Sequence, residues 1–132
     1  MTMTEERQAA HLRTGSRGED IATQYLIDRG YTIIDRNVKN SAGEIDIIAK
    51  QNNRTIFVEV KTTDKSHNTA LEGAEPIDNL SPHKIKKLCR AIHMYLQGAK
   101  SQSTWQLDAV LVYLGSQPRP AIKHLEHLSI DW

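Results

Sequence analysis

Residues 43–61, GEIDIIAKQNNRTIFVEVK, contain two apolar runs separated by a short polar segment. Each run has the length of a β-strand, and Asn52-Asn53 suits a two-residue hairpin turn because asparagine tolerates positive φ. Three charged side chains lie within these runs: Asp46 in the first, and Glu59 and Lys61 in the second. Either one face of the hairpin is exposed to solvent, or these side chains form a functional site.

The alternation of side chains along a strand predicts how this hairpin pairs. Ile45, Ile47 and Ala49 are expected to share one apolar face, and a slip of one residue would turn every side chain to the other face. The predicted partners are Ala49 with Ile56, Ile47 with Val58, Ile45 with Val60, Asp46 with Glu59, and Glu44 with Lys61.

Two directly opposed carboxylates are unfavourable, because their Cβ atoms lie about 4.5–5.5 Å apart. Asp46 and Glu59 therefore need a cation, a shared proton or full solvation. Mg²⁺ is commonly held by one or two carboxylates, with waters and substrate phosphates completing its coordination. Lys61 projects from the same face as Glu59, where it could hold an attacking water or stabilise charge on a phosphate. The alternative is a solvated face on which Glu44 and Lys61 form an ordinary ion pair.

The remainder of the chain predicts an α/β protein with a mixed sheet. Residues 1–14 are expected to form a flexible, irregular arm before a single domain of residues 15–132. Polar residues 62–80 are expected to be a long mobile loop. The other predicted elements are a helix from Ser16 to Gly30, a strand at 31–38, a helix capped by Ser81 and ending at Gly98, a strand at 105–114 and a last strand at 121–127.

The composition is that of a globular protein without strong nucleic-acid electrostatics. The chain has 132 residues, with 17 basic and 16 acidic side chains, so its net charge is +1. Any nucleic-acid surface must come from local clustering of charge. Cys89 is the only cysteine, which excludes an internal disulfide. With no apolar stretch of membrane-spanning length, we expect a cytoplasmic protein without a membrane partner.

The block GEIDIIA followed by IFVEVK resembles the PD-(D/E)xK nuclease superfamily. Over roughly residues 15–125 the chain also resembles the YraN family, small bacterial proteins similar to archaeal Holliday junction resolvases. The residues that carry this resemblance are Gly18-Glu19, Ala22, Tyr25-Leu26, Gly30, Arg36-Asn37, Gly43-Glu44-Ile45-Asp46, Val58-Glu59-Val60-Lys61, Lys84, Leu88 and Asp108-Ala109-Val110.

The resemblance implies a restriction-endonuclease-like fold, with an αβββαβ core whose mixed central sheet is flanked by helices. It implies Mg²⁺ or Mn²⁺ bound by Asp46, Glu59 and the backbone carbonyl of Val60. Lys61 matches the catalytic lysine, and Glu19 matches an acid of the resolvases near the metal or its waters.

The implied activity is metal-dependent endonucleolytic cleavage of DNA rather than RNA, including branched DNA, by a homodimer. The alternative is a non-catalytic module that binds nucleic acid or protein on a nuclease fold. The chain departs from the family pattern at Gln106, where relatives often carry arginine. A basic residue near the site would therefore be missing.

Several candidate residues have competing structural roles. Glu19 could complete a capping box with Ser16 instead of approaching the metal. Glu44 is either an acid beside the metal or the ion-pair partner of Lys61. On the second helix, Lys84 is the first candidate for a phosphate contact and Lys87 the second; the other basic residues there are expected to be plainly solvated.

The remaining candidates are weaker. Asp108 is expected to be a polar residue at a strand end. His124 and His127 have metal-pair spacing but no evident partners, and are expected to be exposed. Cys89 is expected in the core, on the apolar face of the second helix. Trp105 and Tyr31 are also expected in the core, with base stacking as the alternative.

Overall fold

A computed structural model of the protein describes residues 3–64, 80–100, 104–115 and 118–129. Within these ranges the chain forms two helices and five strands in the predicted α/β order. The elements are α1 (Met3–Asp28), β1 (Thr32–Asn40), β2 (Gly43–Gln51), β3 (Arg54–Asp64), α2 (Pro82–Ala99), β4 (Trp105–Leu114) and β5 (Ala121–Leu125). The predicted αβββαβ core with a mixed sheet is confirmed, and β5 extends it at one edge.

The sheet has the order β1-β2-β3-β4-β5. Strands β3 and β4 are parallel, whereas the other neighbouring pairs are antiparallel. A parallel pair needs a crossover connection, and α2 lies in the connection between β3 and β4. The two helices cover opposite faces, because Ala22 and Leu26 of α1 join one apolar cluster and Leu88 and Ile92 of α2 join the other. Cys89 and Tyr31 are buried as predicted.

Helix α1 is longer than the sequence predicts. It begins at Met3 instead of Ser16, so residues 3–14, expected to be irregular, are helical. Ser16 therefore lies inside the helix, and the capping box with Glu19 is wrong. The predicted C-terminal end is confirmed: Gly30 has a φ of +90°, and the Tyr31 amide donates to the Leu26 carbonyl at 3.0 Å. Glycine adopts this left-handed conformation without steric cost.

The central hairpin pairs as predicted near its turn. Asn52 and Asn53 both have positive φ, 51° and 64°, and the ladder includes the predicted pairs Ala49–Ile56 and Ile47–Val58. Strand β3 continues to Asp64, so residues 62–64 of the predicted loop are strand. Residues 65–79 of that loop lie outside the described ranges.

Strand β2 changes face at Asp46. Ile47 packs in the cluster beneath α1, but Ile45 packs in the cluster beneath α2. Regular alternation would place these two side chains on one face; the prediction that they share a face is therefore wrong. The opposing strand is also irregular here, since Asn37 has a φ of +52° between neighbours that pair with Ile47 and Ile45.

Helix α2 begins as predicted, with Pro82 at its first turn and the Ser81 hydroxyl accepting the Lys84 amide at 3.2 Å. It passes Gly98 and ends at Ala99, where Lys100 adopts the left-handed conformation. The last strand, β5, ends at Leu125 and is two residues shorter than predicted. In the described part of the chain, neither helix combines the length and apolar character that crossing a membrane requires.

Candidate metal and nucleic-acid site

The backbone ladder between β2 and β3 is interrupted at Asp46. Counted from the turn, the last pair of residues in this ladder is Ile47 with Val58. Beyond that pair, the Val60 amide donates to the Asp46 carboxylate at 2.8 Å. In a continuous antiparallel ladder this amide would donate to a carbonyl of β2. The bend at Asp46 thus turns its carboxylate into the gap where the two strands part.

Asp46 and Glu59 meet in this gap, beyond the last backbone pair. The predicted backbone pairs Ile45–Val60, Asp46–Glu59 and Glu44–Lys61 are not among those of the ladder. Their side chains are hydrogen-bonded, and burial followed by repulsion from Glu59 raises the pKa of Asp46 to about 7. Burial also raises the pKa of Glu59, although Lys61 and the hydrogen bond from Asp46 oppose the shift. A proton shared between the two carboxylates is therefore held more tightly than on an isolated carboxylate. This is one of the expected ways for two facing carboxylates to relieve their repulsion.

Lys61 lies beside this pair. Its Nζ is 3.5 Å from Oε1 of Glu59, with side-chain exposures of 26% and 17%. The lysine therefore pairs with Glu59 and not with Glu44, so the predicted cross-strand pair is not the one formed. The Lys61 side chain is partly accessible to solvent, as a side chain that contacts a substrate must be.

Glu19 approaches the same cluster from α1. Burial and then repulsion from Asp46 raise its pKa, while a hydrogen bond with Asn37 and the charge of Arg36 oppose the rise. The Arg36 guanidinium also lies 3.8 Å from Glu19 and 2.8 Å from Asp20. With the capping box excluded, the structure assigns Glu19 to the surroundings of Asp46.

Arg36 and Asn37 had no assigned role in the sequence, although both are neighbours of the acidic cluster. The sequence does contain an indication for Asn37: an asparagine within a strand-forming run suits a position with positive φ. Arg36 has no such indication, because its contact with Glu19 joins β1 to α1 and depends on how the two elements pack. Its charge partly balances the carboxylates on the α1 side.

Glu44 adds negative charge to the cluster. It raises the pKa values of Asp46, Glu59 and Glu19 through repulsion. Glu44 and Glu59 also line a cavity of about 420 Å³ between the β2–β3 strands and α2. Lys84 and Lys87, predicted to contact phosphate, line the same cavity, together with Lys39 from β1. Acidic side chains and lysines thus face one shared space.

The Asp46–Glu59 pair suits a hard divalent cation. Both donors are carboxylate oxygens, and Mg²⁺ typically takes one or two carboxylates with several waters. Such a cation would replace the shared proton and relieve the repulsion that raises the pKa of Asp46. The Val60 amide is already used by Asp46; its carbonyl as a further ligand stays a prediction.

A second group of possible ligands lies between β4 and β5. One ligand atom from each of Asp108, His124 and Glu126 lies within 4.8 Å of the others, so the structure contains an acid–histidine group that could hold a metal. Asp108 is fully buried and His124 is only 9% exposed. The predictions of a strand-end Asp108 and an exposed His124 are therefore wrong, while His127 is exposed as expected.

Protein donors already occupy most of this group. Asp108 accepts from Gln106 and His124 at 2.8 Å each, and from the His127 amide at 2.9 Å. Three donors hold the pKa of Asp108 below its usual value despite burial. The other His124 ring nitrogen lies 3.3 Å from the Tyr25 hydroxyl. This pattern is that of a satisfied buried carboxylate, which needs no metal.

Gln106, at the position where the family resemblance predicts arginine, contacts this second group through Asp108. Gln106 pairs with Ile56 in the sheet and bonds to Asp108 and Arg54. Neither partner belongs to the Asp46–Glu59 cluster. That the cluster lacks a basic residue because position 106 carries glutamine stays a prediction.

Comparison with known proteins identifies related chains. The sequence profile described as uncharacterised protein family UPF0102 matches residues 18–112. A UPF0102 protein of Campylobacter lari is 36% identical over 115 residues, which span 87% of this chain and 92% of the relative. One from Helicobacter hepaticus is 41% identical over 101 residues, 76% of this chain and 84% of the relative. One from Chlorobaculum parvum is 37% identical over 117 residues, which span 86% of this chain and 87% of the relative. The profile match contains Asp46, Glu59 and Lys61 and ends before His124.

Proposed function

The chain belongs to the UPF0102 family, also called the YraN family, and we propose that it is a nuclease that hydrolyses phosphodiester bonds in DNA with Mg²⁺ or Mn²⁺. The observation that carries this proposal is the hydrogen-bonded Asp46–Glu59 pair at the point where β2 and β3 part. Two adjacent buried carboxylates repel each other unless a proton or a cation lies between them, and Lys61 lies 3.5 Å from Glu59 at the same place.

Each residue of the cluster has a distinct task. Asp46 and Glu59 hold the cation, and the Val60 amide keeps the Asp46 carboxylate in the gap. When bound, the cation polarises the phosphate and lowers the pKa of a coordinated water. Lys61 orients that water or stabilises the negative charge that develops on the phosphate. Glu19 and Glu44 lie beside the carboxylate pair, where their oxygens can accept hydrogen bonds from ordered water.

The lysines of the cavity supply the contacts to substrate. Lys84 and Lys87 on α2 and Lys39 on β1 line the cavity that Glu59 also borders. Lysine binds phosphate as a point charge. Such contacts position the sugar–phosphate backbone of the nucleic acid but do not distinguish its bases. No aromatic side chain is among the described residues that line this cavity, which favours recognition of backbone over recognition of bases.

The expected products, the DNA substrate and the oligomeric state are taken from the resemblance to the PD-(D/E)xK nuclease superfamily. In-line attack by water leaves a 5′-phosphate and a 3′-hydroxyl. The substrates to examine first are branched and four-way DNA, which presents two symmetric strands and would suit a homodimer. The separate proposal of a non-catalytic binding module predicts binding without any cleavage.

A cleavage panel tests the proposal. Branched DNA, single-stranded DNA and RNA are incubated with Mg²⁺ or Mn²⁺ and either wild type, Asp46→Asn, Glu59→Gln or Lys61→Gln. We expect each substitution to lower the rate by about 100-fold or more, because the first two remove a carboxylate that holds the cation and the third removes the charge that acts on the water or the phosphate.

Matched controls make the same chemical changes elsewhere. Asp28→Asn lies at the exposed end of α1, and Lys86→Gln lies on the exposed face of α2; both should cut at the wild-type rate. Cutting that survives all three site substitutions would refute the site. Nucleic-acid binding without cutting, retained in the site variants, would favour the binding module instead.

A further inference from the structure

Gly18 is buried where α1 crosses β3. A Cβ atom at this position would lie 2.8 Å from both Cβ and Cγ2 of Thr62, and closer still to its hydroxyl oxygen; real Cβ atoms essentially never approach within 3.0 Å. Rotation about χ1 would move the Thr62 hydroxyl and methyl groups but not its Cβ. Any side chain at position 18 must therefore displace the helix or the strand.

The other glycine of α1 is different. Gly15 has nothing within 4 Å of the position of a Cβ. Glycine within a helix costs about 1 kcal/mol relative to alanine. Helix propensity thus disfavours both glycines, but contact with the sheet requires only Gly18.

The Gly18–Thr62 contact adjoins the candidate site along both segments. Gly18 precedes Glu19, whose pKa is raised by burial and by repulsion from Asp46, and Thr62 follows Lys61, which pairs with Glu59. One point of contact therefore joins the helix that carries Glu19 to the strand that carries Glu59 and Lys61. A displacement of α1 at this point moves Glu19 relative to the carboxylate pair.

We propose that Gly18 is a positioning residue: its missing side chain lets α1 rest on Thr62 and so sets the separation between Glu19 and the Asp46–Glu59 pair. This inference rests on the proposed nuclease function for its catalytic consequence. Gly18 itself touches neither metal nor substrate. It acts through the place that it gives to Glu19.

The test is a set of four variants: Gly18→Ala, Gly15→Ala, Thr62→Gly, and the double variant Gly18→Ala/Thr62→Gly. Mn²⁺ affinity, cleavage rate at saturating DNA and thermal unfolding are measured for each. We expect Gly18→Ala to lower the cleavage rate by about 10- to 100-fold, since a displacement of about 1 Å can cost that much. Gly15→Ala should remain within about twofold of wild type.

The double variant separates positioning from simple damage to the fold. Removing the Thr62 side chain makes room for the alanine, so the double variant should recover the rate and Mn²⁺ affinity of Thr62→Gly alone. It also provides a folded comparison if Gly18→Ala does not fold. Wild-type behaviour of Gly18→Ala, or no recovery in the double variant, would overturn the proposal.

Crystal structures of Gly18→Ala, or of Gly18→Ser if the alanine variant does not crystallise, test the geometry without any assay of function. The separation between the Glu19 and Asp46 carboxylates should increase relative to wild type. An unchanged separation would refute the positioning role even if the protein is a nuclease. Conversely, a wild type that neither binds Mn²⁺ nor cuts DNA would refute the nuclease function, while an increased separation would still support the steric role of Gly18.

Discussion

The Val60 amide donates to the Asp46 carboxylate at 2.8 Å, in place of a backbone carbonyl of the neighbouring strand. This single hydrogen bond explains how an acidic side chain lies between two strands of an otherwise apolar hairpin. It holds the carboxylate against Glu59 and keeps the site at the place where β2 bends. The pair is strained by its own charge in the absence of a cation, and several consequences can be measured.

Asp46 should make the metal-free protein less stable as the pH rises. Its pKa is about 7, above the usual 3.8, so between those values the folded protein binds more protons than the unfolded chain. The free energy of unfolding must then fall as the pH rises through this window. Asp46→Asn should flatten this dependence and be more stable than wild type at pH 8 by about 1–2 kcal/mol. Urea denaturation at pH 5 and pH 8 measures it, with Asp28→Asn as control; equal slopes for Asp46→Asn and wild type would contradict the prediction.

Mn²⁺ should stabilise the protein more at pH 8 than at pH 5.5. The proton that Asp46 retains competes with the cation, so affinity falls as the pH drops through about 7. The rise in Tm on adding Mn²⁺ measures the effect. Glu59→Gln should abolish it, whereas His124→Gln should keep it, because His124 belongs to the second group of ligands. Loss of the effect in His124→Gln alone would assign the metal to the Asp108 group instead.

Asp108 should contribute strongly to stability. Asp108→Asn places an amide against three protein donors, and we expect a loss of about 2–4 kcal/mol in urea denaturation at neutral pH. Because the pKa of Asp108 is lowered, its contribution is complete above the usual value of 3.8 and is lost as the pH falls through the lowered pKa.

A matched control for Asp108 is His127→Asn. The His127 contact to Asp108 comes from its backbone amide, and asparagine tolerates the φ of +54° at this position. This variant should stay within about 0.5 kcal/mol of wild type. A loss as large as that of Asp108→Asn would show that the side chain of His127, and not its amide, matters.

The lysines of the cavity should set the salt dependence of DNA binding. Lys39→Gln, Lys84→Gln and Lys87→Gln, each made in an Asp46→Asn background so that DNA stays intact, should reduce the slope of log affinity against log salt by about 0.7–0.9 each. Fluorescence anisotropy between 50 mM and 200 mM salt gives this slope. Lys86→Gln is the control, because its side chain lies outside the cavity. A slope unchanged by all three cavity substitutions would mean that DNA binds elsewhere.

The hairpin could be predicted from sequence because its signals are local. Asn52-Asn53 favours a tight turn, and the turn then determines that Ala49 pairs with Ile56. The same register predicted that Asp46 faces Glu59, and the two side chains do meet, but beyond the last backbone pair of the ladder. The ends of α1 illustrate the contrast: Gly30 marks its C-terminal end, but nothing in the polar residues before Ser16 indicated that the helix begins at Met3.

The burial of Asp108 and His124 could not be predicted, because it depends on contacts between distant parts of the chain. Their partners include Tyr25 and the amide of His127, and no local pattern brings these groups together. The closeness of Arg36 to Glu19 likewise depends on the irregular pairing of β1 with β2. Side chains that meet across the sheet carry no signature in either segment alone.

The sequence by itself determined the α/β order and the pairing of the hairpin near its turn, because periodicity and turn chemistry act over a few residues. Only the tertiary structure decided that Ile45 changes face, that Asp46 accepts the Val60 amide, and that Arg36 lies beside Glu19. These outcomes depend on contacts between elements that lie far apart in the sequence. Close packing of two distant segments is a property of the folded chain.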